Sequence, residues 1–131
     1  MSARRAVRTV DAPGAVAPYS QGMIGSGLVF TAGSLGLDPA TGQLVEGGAA
    51  AQAKRAIANL SAILDAAGSG LDRVLKTTVF LIDMADYSEV NEIYRDAFPE
   101  PHPARTAVAV QALPMGARVE IECIAVAAEA S

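Results

Sequence analysis

The spacing of apolar and polar positions changes several times along the chain, and each change marks an element. From Val119 to Val126 the alternation is strict. Val119, Ile121, Cys123 and Ala125 fall on one side of an extended strand, and Glu120, Glu122, Ile124 and Val126 on the other. Arg73 to Ile82 is almost continuously apolar and rich in Val, Thr, Phe and Leu, which predicts a central strand covered on both sides. Ala6–Val10, Leu28–Leu35 and Ala104–Gln111 read as further strands. Asp38-Pro39-Ala40-Thr41-Gly42 has the residues of a tight turn, with a hairpin-like excursion after it. Between Ala49 and Ala67 the period becomes helical, with Ala53, Ile57, Leu60 and Leu64 on one face and Gly68 placed for a left-handed cap. Asp86 with Glu89 three residues on suggests a capping box for a second helix, whose stripe is Val90, Ile93, Tyr94, Ala97 and Phe98. Pro99, Pro101 and Pro103 end it. The order β-β-β-α-β-α-β-β is that of an α+β fold with six strands and two helices on one sheet face.

The second face of the last strand is the informative one. Glu120 and Glu122 do not belong in a core, and Ile124 and Val126 do not belong on a wholly solvated surface. A half-polar sheet face without helices over it predicts contact with another subunit, so the chain is expected to be an oligomer. Arg105 is the natural countercharge, on what reads as a strand adjacent to the two glutamates.

Composition narrows the function classes. At 131 residues, 51% apolar and 18% charged, residues 1–131 form one folded domain. The net charge of −4 argues against nucleic-acid binding, and Arg4, Arg5 and Arg8 read as a short solvated basic end. With no long apolar run, signal-peptide core or lipidation motif in the sequence, the expected location is cytoplasmic and away from membranes. Cys123 falls on the apolar strand face and reads as an inert buried thiol, and His102 as a solvated loop residue. With those as the only cysteine and histidine, a metal site or a Ser-His-Asp triad lacks parts.

One ordered set of residues carries a family resemblance: Gly33, Asp38-Pro39-x-Thr41-Gly42, Gln52-Ala53, Val74-x-Lys76-Thr77-Thr78-Val79-Phe80-Leu81, Asp83, Val90-Asn91, Pro103-Ala104-Arg105 and Val119-Glu120-Ile121-Glu122. Taken together, from Tyr19 to Val126, the chain resembles the RidA family, the YjgF-type reactive intermediate deaminases. The resemblance implies a chorismate-mutase-like subunit with a mixed six-stranded sheet, assembled as a homotrimer with clefts between subunits. It also implies hydrolysis of 2-imino acids such as 2-iminobutanoate and 2-iminopropanoate to 2-keto acids and ammonia, without a cofactor. The imines would come from pyridoxal-phosphate enzymes, and the role would be control of metabolite damage.

A 2-imino acid presents a planar carboxylate and an electrophilic C=N carbon, so the catalyst must clamp the one and bring water to the other. Arg105 suits the clamp because a guanidinium makes two parallel hydrogen bonds to a carboxylate; the competing reading is a structural ion pair to Glu120 or Glu122. Glu120 suits the water-activating base, with Glu122 as its structural neighbour, although the sequence does not separate the two. Asn91 sits at the edge of the second helix's stripe, facing a cleft or simply bonding along the helix. The resemblance adds Tyr19 as a pocket-lining residue, where a turn-packing tyrosine is the alternative, and main-chain contacts near Gly33 and Ala107. Ala32, Ser34 and Ala107 depart from the Ser, Gln and Cys common in relatives, which removes side-chain roles there and leaves main-chain ones. Two other classes stay open: a related deaminase or hydrolase acting on another small carboxylate-bearing imine, and a non-catalytic trimer that binds small acids or acts as a chaperone-like or RNA-cleaving stress protein.

Overall fold

The strands are β1 (Arg5–Val7), β2 (Gly22–Gly25), β3 (Leu28–Thr31), β4 (Ser34–Leu35), β5 (Val74–Leu81), β6 (Ala104–Ala109) and β7 (Val119–Val126), with helices α1 (Gly48–Ala66) after β4 and α2 (Tyr87–Ala97) after β5. The structure is a computed structural model that describes residues 3–128. All seven strands belong to one mixed sheet ordered β1-β2-β3-β7-β5-β6, with β4 also paired to β7. Only β5 and β6, connected through α2, run parallel; the other pairs are antiparallel.

The expected six strands become seven for local reasons. Gly22–Gly25 begins and ends in glycine and carries no alternation. It is made a strand by the hairpin at Ser26 and Gly27, whose φ values of 51° and 76° suit the primed turn that matches strand twist. Leu28–Leu35 is two strands instead of one. Phe30 pairs with Ile124 and Ser34 with Ile121, so four steps on one strand answer three on the other, and the extra residue makes a bulge at Ala32 and Gly33. The hairpin-like excursion is reduced to a single bridge between Leu37 and Leu44 around the Asp38–Gly42 turn.

Both helices cover one face of the sheet. Leu60 and Leu64 of α1, Phe98 at the end of α2, Leu81, Val119, Ile121 and Val29 are fully buried together, and small Ala49, Ala53 and Ala56 let α1 approach closely. Gly68 caps α1 as expected: at φ 75° it donates its N–H to Asp65, and Ser69 donates to Leu64. Asp86 does not close a capping box. Asp83 instead caps a single tight turn by accepting from Ala85 N–H at 2.9 Å, and the Asp86 carboxylate takes the Arg118 guanidinium at 2.7 Å.

The strict alternation of β7 holds, with the expected four residues buried and Glu120, Glu122 and Ile124 half-buried. On β5, Thr77, Val79 and Leu81 are buried beneath the helices while Thr78 and Phe80 are only partly covered. That strand is central, but one chain covers only one of its faces. The open face therefore combines Phe80, Ile124, Glu120 and Glu122 with the exposed Phe30, Val108 and Val126.

Candidate functional site

Arg105 does not meet the glutamates within one chain, which corrects the expectation of adjacent strands. β5 lies between β6 and β7. Arg105 pairs with Thr77 and Glu120 with Phe80, three residues apart on β5 and hence on opposite faces. Arg105 projects to the helix side and Glu120 to the open side.

On the helix side, Arg105 is held by neutral groups. Its Nη1 donates to Asn91 Oδ1 at 2.8 Å and its Nη2 to the Tyr87 hydroxyl at 2.7 Å. The guanidinium also lies over the Tyr94 ring, 4.7 Å from the centroid. Tyr94 is fixed in turn by a 2.7 Å hydrogen bond between its hydroxyl and that of buried Thr77. Burial raises the Tyr94 pKa, opposed by the Thr77 bond and the Arg105 charge. Among the described residues Arg105 forms no ion pair with a carboxylate; the ion pairs are Arg95–Glu92 and Arg118–Asp86. The structural-ion-pair reading of Arg105 therefore fails within the chain, and its positive charge is left for an outside anion.

Ala107 belongs to the same half. β6 is the sheet edge, and Val110 N–H donates to Leu81 across the ladder. Residues alternate in bonding inward and outward along such a strand, so the main-chain groups of Ala107, three residues before Val110, point out from the edge near Arg105. A main-chain role is available there without a side chain beyond Cβ.

The second half surrounds Glu120. Gly33, in the bulge between β3 and β4, approaches it so closely that an added Cβ would stand 2.7 Å from the Glu120 Cδ. Glycine is needed at Gly33 because the carboxylate occupies the space of a side chain. Burial raises the Glu120 carboxyl above its ordinary pKa, and the neighbouring Glu122 charge raises it further. Tyr19 is exposed and borders an open groove of about 550 Å³ with Val7, Thr9, Val10 and Pro39. Its loop is tied to the bulge because Ala32 N–H donates to the Gln21 carbonyl at 2.9 Å.

Several contributors escaped the sequence reading. Gln21 is buried: its Oε1 accepts from Thr9 N–H at 2.8 Å and its Nε2 donates to Thr9 and Pro13 carbonyls at 3.0 and 2.8 Å, which shapes the loop around Tyr19. Tyr94 falls on the apolar stripe that reads as core, and Tyr87 lies before that stripe begins at Val90. The signal available is one aromatic a helical turn before Asn91 and another a turn after it, but helical spacing does not reveal a cation against the rings. Cys123 is buried as expected, and burial pushes its pKa up to about 11 despite the Thr31 hydroxyl bond that opposes it. His102 is exposed in the loop before β6. No His, Cys, Asp and Glu cluster among the described residues could hold a metal ion, and no described helix is long and apolar enough to cross a membrane.

Comparison with known proteins decides the family. The family model described as Endoribonuclease L-PSP matches residues 9–127. The chain belongs to this family. The resemblance to RidA proteins holds at the level of whole sequences: the chain is 48% identical over 123 residues to the 2-iminobutanoate/2-iminopropanoate deaminase of Homo sapiens, covering 94% of this chain and 90% of that protein. The deaminase of the same name from Mus musculus is 50% identical, with 94% and 91% covered. Among solved structures, RidA from a Psychrobacter species superposes with a TM-score of 0.90 at 43% identity, covering 93% of this chain and 98% of that one. E. coli TdcF with bound serine superposes with a TM-score of 0.88 at 37% identity, covering 95% and 99%. The α+β subunit with a mixed sheet and two helices is thus the family's own.

Proposed function

We propose that this chain hydrolyses small 2-imino acids, such as 2-iminobutanoate and 2-iminopropanoate, to 2-keto acids and ammonia. The observation that carries the reading is Arg105: a guanidinium stacked on Tyr94 and held by two neutral acceptors, with no carboxylate partner among the described residues. Such a group is a prepared receptor for a planar carboxylate. The names of the deaminases at 48–50% identity support the same chemistry, and the relative solved with serine supports a small molecule bearing an α-carboxylate.

Arg105 clamps the carboxylate, and the Asn91 side chain and the outward main-chain groups at Ala107 help hold the molecule. Glu120 takes one proton from water as its oxygen adds to the C=N carbon and returns that proton to the nitrogen, giving a carbinolamine with a hydroxyl and an amine on one carbon. It then carries the hydroxyl proton to the same nitrogen as the C–O bond becomes a carbonyl and the C–N bond breaks, so ammonia leaves and the 2-keto acid remains. A carboxyl raised by burial and by Glu122 is closer to the working pH for both transfers. The −4 net charge favours this reaction over cleavage of RNA, which the family's description also suggests.

Arg105 and Glu120 occupy opposite faces of one sheet, so the active unit is an oligomer, proposed to be a homotrimer, in which the Arg105 half of one chain meets the Gly33–Glu120–Tyr19 half of another. The open face, with Phe30, Val108 and Val126 exposed, supplies the apolar contact for that assembly. The reading is tested by generating imines in situ with an amino-acid oxidase and following their decay with and without the protein. Faster appearance of 2-keto acid and ammonia is expected. Unchanged decay across several small imino acids refutes the reading.

A further inference from the structure

The Tyr87 hydroxyl carries a hydrogen that has no acceptor among the described residues, directly beside Arg105. Its oxygen accepts from Arg105 Nη2 at 2.7 Å. A phenol accepting in this way still has its own O–H to donate, and among the described residues that O–H has no acceptor, whereas the Tyr94 hydroxyl is engaged with Thr77. Tyr87 begins α2, is half-buried, and stands one helical turn before Asn91, so the two partners of the guanidinium flank it from the same helix face. The ring faces the guanidinium as well, with the Arg105 Cζ 5.5 Å from its centroid.

We propose that Tyr87 is a substrate-binding residue that donates its phenolic hydrogen to the substrate carboxylate, as a third donor beside the two from the Arg105 fork. This rests on the deaminase reading above. The geometry supports it in two steps. A carboxylate on the free donors of Nη1 and Nη2 lies next to whatever is bonded to Nη2, and that neighbour is the Tyr87 oxygen. Donation from the cation also polarises the phenol, which makes its O–H a better donor to an anion. A carboxylate offers about four lone-pair sites, so the third hydrogen bond does not compete with the two from arginine. Asn91 contributes no such donor on its bonded side, because its Oδ1 only accepts.

The test compares the parent with Tyr87→Phe, which keeps the ring and removes one oxygen from a half-buried position. Two ligands are titrated by calorimetry: 2-ketobutyrate, the keto-acid product of 2-iminobutanoate, and its methyl ester, which lacks the negative charge. Imine hydrolysis is measured in parallel. A hydrogen bond to a charged group predicts a Kd for 2-ketobutyrate, and a KM, raised about 10-fold or more, with kcat within about threefold and ester affinity changed much less. A loosened helix would instead weaken both ligands alike, and that pattern overturns the proposal. So does a fall in kcat at unchanged KM, or a Tyr87→Phe protein within about twofold of the parent in KM and Kd. In those cases the parent still turns over imines and the deaminase reading stands. If the parent neither hydrolyses any imine nor binds 2-ketobutyrate, the deaminase reading falls and this proposal falls with it.

Discussion

Replacing Gly33 by alanine should inactivate the enzyme without unfolding it. A Cβ at Gly33 would stand 2.7 Å from Cδ and 3.0 Å from Cγ of Glu120, whereas carbon atoms in contact settle at about 3.5–4.0 Å. The glutamate must therefore retreat by roughly 1 Å, and because it is the far end of a flexible side chain, the retreat is easier than a backbone shift. Misplacing a reacting group by about 1 Å costs on the order of 100-fold, or about 2.7 kcal/mol in the barrier. The backbone does not resist the change, since Gly33 is absent from the positive-φ glycines. A compatible Gly→Ala substitution even stabilises by about 0.4–1 kcal/mol through the unfolded chain. The assay is kcat/KM for in situ imine hydrolysis, alongside urea unfolding. The expected result is activity lowered about 100-fold at an unchanged or higher urea midpoint. Because both changes act through one carboxylate, Gly33→Ala should add little to Glu120→Gln. A folded Gly33→Ala protein within about threefold of the parent would refute the assignment of Glu120.

Arg105→Lys keeps the charge and loses the fork, so kcat/KM should fall by about 30- to 150-fold, roughly 2–3 kcal/mol, with assembly intact; a change within about twofold counts against the clamp. Glu120→Gln removes proton transfer and should cost about 100- to 10,000-fold, while Glu122→Gln leaves turnover largely unchanged; the opposite ranking would transfer the base role to Glu122. Burial raises the folded Glu120 pKa above its ordinary 4.5, so its contribution to stability is fully present below the unfolded value and is lost as pH rises through the folded one. Glu120→Gln should thus gain stability relative to the parent as pH rises above the ordinary 4.5 through the folded value, and a pH-independent difference in urea midpoints speaks against a raised pKa. Light scattering at micromolar concentration should give three times the chain mass, and a monomer with full activity would contradict a site shared between chains.

What could be read from the sequence was whatever local periodicity controls. The β7 alternation and the α1 stripe with its Gly68 cap depend on near neighbours in the chain, and the structure has them as expected. The missing β2 and the split of Leu28–Leu35 depend on a two-residue turn and on a partner strand nearly a hundred residues away, neither of which leaves a hydrophobic period. Arg105 and Glu120 were identified as residue types fitted to the chemistry, but their relative placement was wrong, because neighbouring segments in the chain order of strands are not neighbours in the sheet. Inserting β5 between β6 and β7 changes both the distance and, through the pairing register, the face.

That register makes the paired carboxylates intelligible. A half-buried Glu120 with Glu122 on the same face is costly in one chain, since burial and like charge both resist ionisation. Nothing on the open face of the same subunit relieves it among the described residues, where the ion pairs involve neither glutamate. On the opposite face an arginine is stacked and hydrogen-bonded without its countercharge. Joining these complementary halves within one chain would give a neutralised salt bridge and no receptor. Keeping them apart preserves a cation that still needs an anion and a carboxylate whose affinity for a proton is raised, and a second chain can bring them to opposite ends of a small substrate. The separation that defeats a single-chain site is therefore what leaves both groups reactive in an assembled one.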